Sequence, residues 1–176
     1  TLALLTACST EASTTTASSD VSTTEATVES TLMSDSSYSE SNSTAITFSD
    51  QTITVDGSGA AADGSILTIT QPGTYILSGT LSEGQVRVET VDEADVQIVL
   101  DGATITNSTG AAIYVKSANS ATITLAEGTT NTLSDGEIYT FEDSEDEPDA
   151  TLFSKSDLIL NGTGTLVIDA NYAHAI

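Results

Sequence analysis

Between Tyr139 and Leu158 the chain reads YTFEDSEDEPDATLFSKSDL, and six carboxylates fall within eight positions: Glu142, Asp143, Glu145, Asp146, Glu147 and Asp149. Calcium takes six to eight oxygen ligands, and carboxylates on one flexible loop supply them. Asp143, Asp146 and Asp149 stand three apart, and Asp157 follows in SKSDL, so these four are the candidate metal ligands. The spacing is not that of an EF-hand, because D-x-[DN]-x-[DN]-G is missing. The competing reading is a solvated acidic loop that only keeps the surface soluble.

Aromatic residues flank the same segment. A sugar offers C–H faces to aromatic rings and hydroxyls to carboxylates, amides and hydroxyls. Tyr139 and Phe141 adjoin the carboxylates, and with Tyr172 they are the candidate carbohydrate contacts. Tyr75 and Tyr114 lie inside strand runs and read as core. Elimination at a uronic acid needs calcium and a Lys or Arg base. Lys155 is the basic residue near the loop, and an ion pair with Asp157 or the loop is its simpler role. A glycosidase needs two apposed carboxylates, and no pair can be selected among 26 acidic residues. His174, the sole histidine, has no Ser/Asp pattern around it.

These residues sit in a chain of 176 residues, enough for one ordinary domain and a tail. Its net charge is -23, with only Arg87, Lys116 and Lys155 basic. Nucleic acid binding draws on cationic groups that displace phosphate counterions, so that partner is excluded. Such acidity repels itself unless cations compensate. One cysteine, Cys8, allows no internal disulfide.

The chain opens TLALLTACSTEAS, and Leu5-Thr6-Ala7-Cys8 has the form of a lipoprotein cleavage site with Cys8 as the lipidated residue. Residues 1–7 then read as the remnant of a signal peptide. Of the 36 residues from Ser9 to Thr44, 21 are Ser or Thr. That composition cannot bury enough surface to offset ordering entropy, so residues 8–44 read as a disordered tether. Two acyl chains at Cys8 would anchor it stably to a membrane, outside the cytoplasm.

From Ala45 onward, short runs alternate apolar and polar residues, as in Ile53-Thr-Val55, Val86-Arg-Val88 and Ala121-Thr-Ile123-Thr-Leu125. Period two, in runs rich in Ile, Val, Thr and Tyr, predicts strands with one buried face. A leucine–glycine–aliphatic theme recurs in LSGTL, LDGATI, LAEGTTNTL and LNGTGTL, with first leucines at 77, 100, 125 and 160. The separations are 23, 25 and 35 by subtraction, and the longest contains the acidic segment as an insert. The first two separations suit one coil of a β-solenoid each, which is the expected fold; a β-sandwich also has short strands at regular spacing.

The wording of GTYILSGTL, VQIVLDGATITNSTGAAIYVKSA, ITLAEGTTNTLSDG and EPDATLFSKSDLILNGTGTLVIDANYAHAI resembles the bacterial carbohydrate-binding domain-containing proteins. That family includes a protein of a cellulosome producer described as binding cellulose and acidic sugars. The resemblance runs from Ile46 to Ile176. It implies an all-β, right-handed parallel β-helix similar to pectate lyases, and bound calcium. Family members continue past the equivalent of Ile176, so residues 45–176 are expected to be the N-terminal part of a longer domain. The expected function is a noncatalytic, calcium-assisted module at the cell surface with polysaccharide as partner, including acidic sugars. The alternatives are a calcium-dependent polysaccharide lyase and a structural adhesin or spacer.

Overall fold

The computed structural model describes residues 36–91, 94–141 and 147–176. Cys8, most of the tether, and Asp143 and Asp146 lie outside the described residues. Within them, alternation in sequence becomes alternation in burial. In β7 (Asp95–Asn107), Val96, Ile98 and Leu100 are buried while Gln97 between them is half-buried. The same holds in β5 (Gly73–Leu81), where Tyr75, Leu77 and Leu81 turn inward.

The strands form two sheets. The larger has eight strands and runs β12 (Asp157–Gly162), β9 (Ser120–Leu125), β7, β5, β1 (Thr44–Asp50), β2 (Thr52–Asp56). To it belong β10 (Thr130–Asp135), paired with the second half of β7, and β13 (Thr165–Asp169), paired with β10. The smaller has five strands in the order β11 (Leu152–Ser154), β8 (Ile113–Ser117), β6 (Gln85–Glu89), β4 (Ile66–Ile69), β3 (Ala60–Asp63). Like residues meet across parallel neighbours: Tyr75 aligns with Ile98 and Ile98 with Ile123, and Leu67, Val86, Ile113 and Leu152 align in the smaller sheet. These side chains join one buried cluster. Each fully buried aliphatic side chain in it contributes about 1.5–3 kcal/mol through removal from water.

The expected right-handed parallel β-helix is not the architecture found. Both sheets are mixed, because β1 pairs β2 and β3 pairs β4 in antiparallel register. The reason is turn length: antiparallel neighbours can be joined by two residues, whereas parallel neighbours need a longer crossover. Ser49 faces Thr52 across Asp50-Gln51, with Asp50 at φ 57, and Asp63 faces Ile66 across Gly64-Ser65, with Gly64 at φ 58. Period two cannot distinguish these hairpins from parallel strands. The all-β class stands, and so does the strand-rich reading from Ala45 onward.

One glycine marks where the regular ladder gives way. Gly79 has φ 89 and lies at a register shift between β5 and β7. A Cβ there would overlap the Phe48 carbonyl oxygen of the neighbouring strand. Only glycine combines the left-handed backbone with that approach.

Candidate functional site

The outward side of the smaller sheet gathers the chemistry. In β6 and β8 the core takes Val86, Val88, Ile113 and Val115, so Gln85, Arg87, Glu89, Tyr114 and Lys116 are left for the opposite face. Register aligns Arg87 with Tyr114 and Tyr114 with Phe153 of β11. The alternation continues past β11 to Lys155. Thus all three basic residues of a chain with 26 acidic ones lie on or beside one sheet face.

Glu89 sits between two of them, with Oε1 3.6 Å from Arg87 Nη1 and 3.5 Å from Lys116 Nζ. Lys155 Nζ lies 3.1 Å from Glu147 Oε2, the end of the acidic segment. Such partly exposed pairs add little stability. They do gather the chain's three cations, each beside a carboxylate, in one place on an otherwise acidic surface. Gln85 orients the guanidinium: its Oε1 accepts from Arg87 Nε at 3.1 Å, while its Nε2 donates to the Ala111 carbonyl at 2.8 Å. Asn107 Nδ2 donates to the same carbonyl at 2.9 Å.

Five of the eight aromatic residues cover this face. Tyr114 meets Phe153 edge-on at 5.8 Å between centroids. Tyr139 stacks on Tyr172 at 4.2 Å with planes 17° apart, and Phe141 stands edge-on to Tyr172 at 6.2 Å. Tyr139 is 7 % exposed and Tyr172 40 %. Burial, followed by a hydrogen bond to Asp135, pushes the Tyr139 phenol far above its usual value, so it stays protonated and donates.

A cleft of about 240 Å³ opens between this aromatic arm and the sheet. Arg87, Tyr114 and Lys116 line one side, and Tyr139, Phe141 and Glu147 the other. Gly84 narrows its edge, where a Cβ would overlap the Ser65 carbonyl oxygen. Tyr114 is 6 % exposed, and its hydroxyl is buried with no hydrogen-bond partner. An unpartnered buried hydroxyl costs about 1–3 kcal/mol. The volume falls below the roughly 300–1,000 Å³ of drug-sized pockets, so it suits one small polar ring or part of a longer chain.

Residues 63–176, which contain the whole cleft lining, match the model of the family described as carbohydrate-binding domain-containing protein. The chain belongs to that family. Among the family's members, a carbohydrate-binding domain-containing protein of Acetivibrio thermocellus is 39% identical over 109 residues, 61% of this chain and 38% of that protein. A solved structure described as the polysaccharide lyase-like protein from C. thermocellum, gadolinium derivative, is similar with a TM-score of 0.72. The two share 38% identity over 74% of this chain and 53% of the other. The chain therefore spans less than two thirds of either relative.

Set in this family's fold, the candidate residues from the sequence divide. Tyr139, Phe141 and Tyr172 come together in one aromatic cluster. Asp149 and Asp157 do not assemble a cation site: Asp149 faces His174 Nε2 at 4.0 Å and Asp157 opens β12. Among the described residues, no three His, Cys, Asp or Glu groups gather around a common point. Asp143 and Asp146, two of the four candidate ligands, lie outside the described residues. Arg87 and Lys116 read as plain surface residues in the sequence and prove to line the cleft. A signal exists for Lys116 but not for Arg87: Tyr114-x-Lys116 and Phe153-x-Lys155 repeat an aromatic two residues before a lysine.

Proposed function

We propose that this domain is a noncatalytic polysaccharide-binding module whose cleft receives a sugar unit bearing an acidic group. One observation carries the reading: the chain's few cations and most of its aromatics converge on one sheet face. Arg87, held by Gln85, suits a carboxylate, because a guanidinium presents parallel N–H donors that match it. Lys116 adds a second positive charge, and the aromatic arm offers rings for a C–H face. The surrounding surface repels an anionic polymer, but screening at physiological salt limits that field to about 8 Å. Contact at the cleft then decides.

Isothermal titration with polygalacturonate, cellulose oligomers and a neutral mannan tests this. Preference for the uronate polymer, lost in Arg87→Ala, supports it. Equal silence toward all of them overturns it in favour of a structural spacer. The same mixtures, followed for unsaturated-uronate absorbance, address the lyase alternative, to which the likeness to a polysaccharide lyase-like protein lends support. Growth of that absorbance would replace binding with elimination.

Calcium belongs to the proposal as a bridge between sugar and protein carboxylates, drawn from the net charge of -23. Repeating the titration with a chelator tests it, and unchanged affinity removes it. We place the module outside the cytoplasm on a lipid anchor at Cys8. Metabolic labelling with a fatty acid, abolished in Cys8→Ala, is the expected outcome.

A further inference from the structure

The aromatic arm needs something to hold it, because Tyr139 and Tyr172 lie 33 positions apart by subtraction, one between β10 and β11 and the other after β13. Asp135, the last residue of β10, joins them. It is 4 % exposed. Its Oδ2 accepts from the Tyr139 hydroxyl at 2.7 Å, and its Oδ1 accepts from the Asn171 backbone N–H at 2.5 Å. The Asp135 carbonyl accepts from Asn171 Nδ2 at 2.8 Å. Asn171 immediately precedes Tyr172, so fixing its backbone fixes where the Tyr172 ring lands. The arm is tied a second time, where Thr140 N–H donates to the Thr109 carbonyl at 2.8 Å, on the turn that edges the cleft.

We infer that Asp135 is the positioning residue of the cleft: one buried carboxylate clamps the segments before and after the acidic insert and so stacks Tyr172 on Tyr139. The binding consequence rests on the proposed function; the clamp itself does not. A charged acceptor in a nearly dry site makes strong bonds to N–H and O–H donors. Each bond ends on a different segment, so losing the carboxylate removes one tie from each and leaves the bonds to backbone carbonyls from Asn171 Nδ2 and the Thr140 N–H. The two rings then lose their common support, and the far wall of the cleft loses its shape. Asp135 touches no sugar in this account and acts through Tyr139 and Tyr172.

The test compares Asp135→Ala, Asp135→Asn and Tyr139→Phe in the full chain, with thermal unfolding as a check on folding. Near-UV circular dichroism reads the tyrosine stack, and spectrophotometric phenol titration reads Tyr139. Asp135→Ala is expected to lose most of the near-UV tyrosine signal and to bring one phenol titration down toward the others. Asp135→Asn keeps one acceptor oxygen and recovers part of both. Tyr139→Phe keeps the ring but removes the phenol with its bond, so it is read through polysaccharide affinity, and Asp135→Asn carries the spectra if Asp135→Ala does not fold. Polygalacturonate affinity should fall about tenfold in Asp135→Ala, the loss of one charge-assisted bond's worth of order. Near-UV and phenol behaviour unchanged in Asp135→Ala, or in Asp135→Asn if the former does not fold, overturns the clamp. Altered spectra with wild-type affinity overturn its role in the cleft. A wild-type protein that binds no polysaccharide sinks the proposed function and the cleft role together, while the spectra still decide the clamp.

Discussion

The two sheets share a core and differ in what they show on the other side. On the larger sheet the polar side chains answer one another. Thr74 Oγ1 donates to Gln97 Oε1 at 3.1 Å, and Gln97 Nε2 donates to Thr124 Oγ1 at 3.0 Å. Asn119 and Ser120 both donate to Asp95 Oδ1 at 2.7 Å. A ladder whose donors meet acceptors on the next strand leaves little for a ligand. On the smaller sheet, Arg87 and Lys116 share one carboxylate, and the Tyr114 hydroxyl has none of these answers. The lesson is that strand pairing fixes the shape of both faces, while the matching of polar groups decides which one is free to bind.

Six substitutions bear on that contrast. The largest effect should come from the shared core, because Ile123 is fully buried and supports both faces. Ile123→Ala is expected to cost about 2–5 kcal/mol in denaturant unfolding, with polysaccharide binding lost only as the protein unfolds. Next, Arg87→Ala and Lys116→Ala should each weaken polygalacturonate binding about tenfold or more, whereas Gln97→Ala on the opposite sheet changes it by no more than about twofold. Equal losses on both sheets would erase the distinction. Tyr172→Ala, which removes the exposed partner of the stack, should cost about threefold to tenfold in affinity, measured by the same titration.

The smallest effect concerns acid. Hydrogen bonds from Asn119 and Ser120 hold the Asp95 carboxyl below its usual value. A lowered folded-state value means the stabilisation is present above the unfolded value and is lost as pH falls through the folded one. Wild-type stability should therefore fall more steeply below about pH 4 than that of Asp95→Asn, with binding at neutral pH alike in the two. A binding difference at neutral pH would give the larger sheet a role denied to it above.

The strands were legible because burial imposes period two, and runs such as Val96 to Leu100 declare it directly. The mixed pairing was not, since Asp50-Gln51 and Gly64-Ser65 reverse the chain without disturbing that period. Tyr139 and Phe141 could be found from their closeness to the acidic segment. Tyr172 joins them through Asp135 and Asn171, a contact between positions that no local pattern links. Arg87 and Lys116 escaped notice because a lone cation in a strand looks the same whether its face is idle or occupied. Only the register that sets Arg87 beside Tyr114 and Tyr114 beside Phe153 reveals the grouping.

That register also fixes a length scale. Neighbouring strands lie about 4.8 Å apart, so Arg87, Tyr114 and Phe153 mark off equal steps across the sheet. Were a polymer to bind across this face as proposed, its affinity would rise with oligomer length in steps set by that spacing.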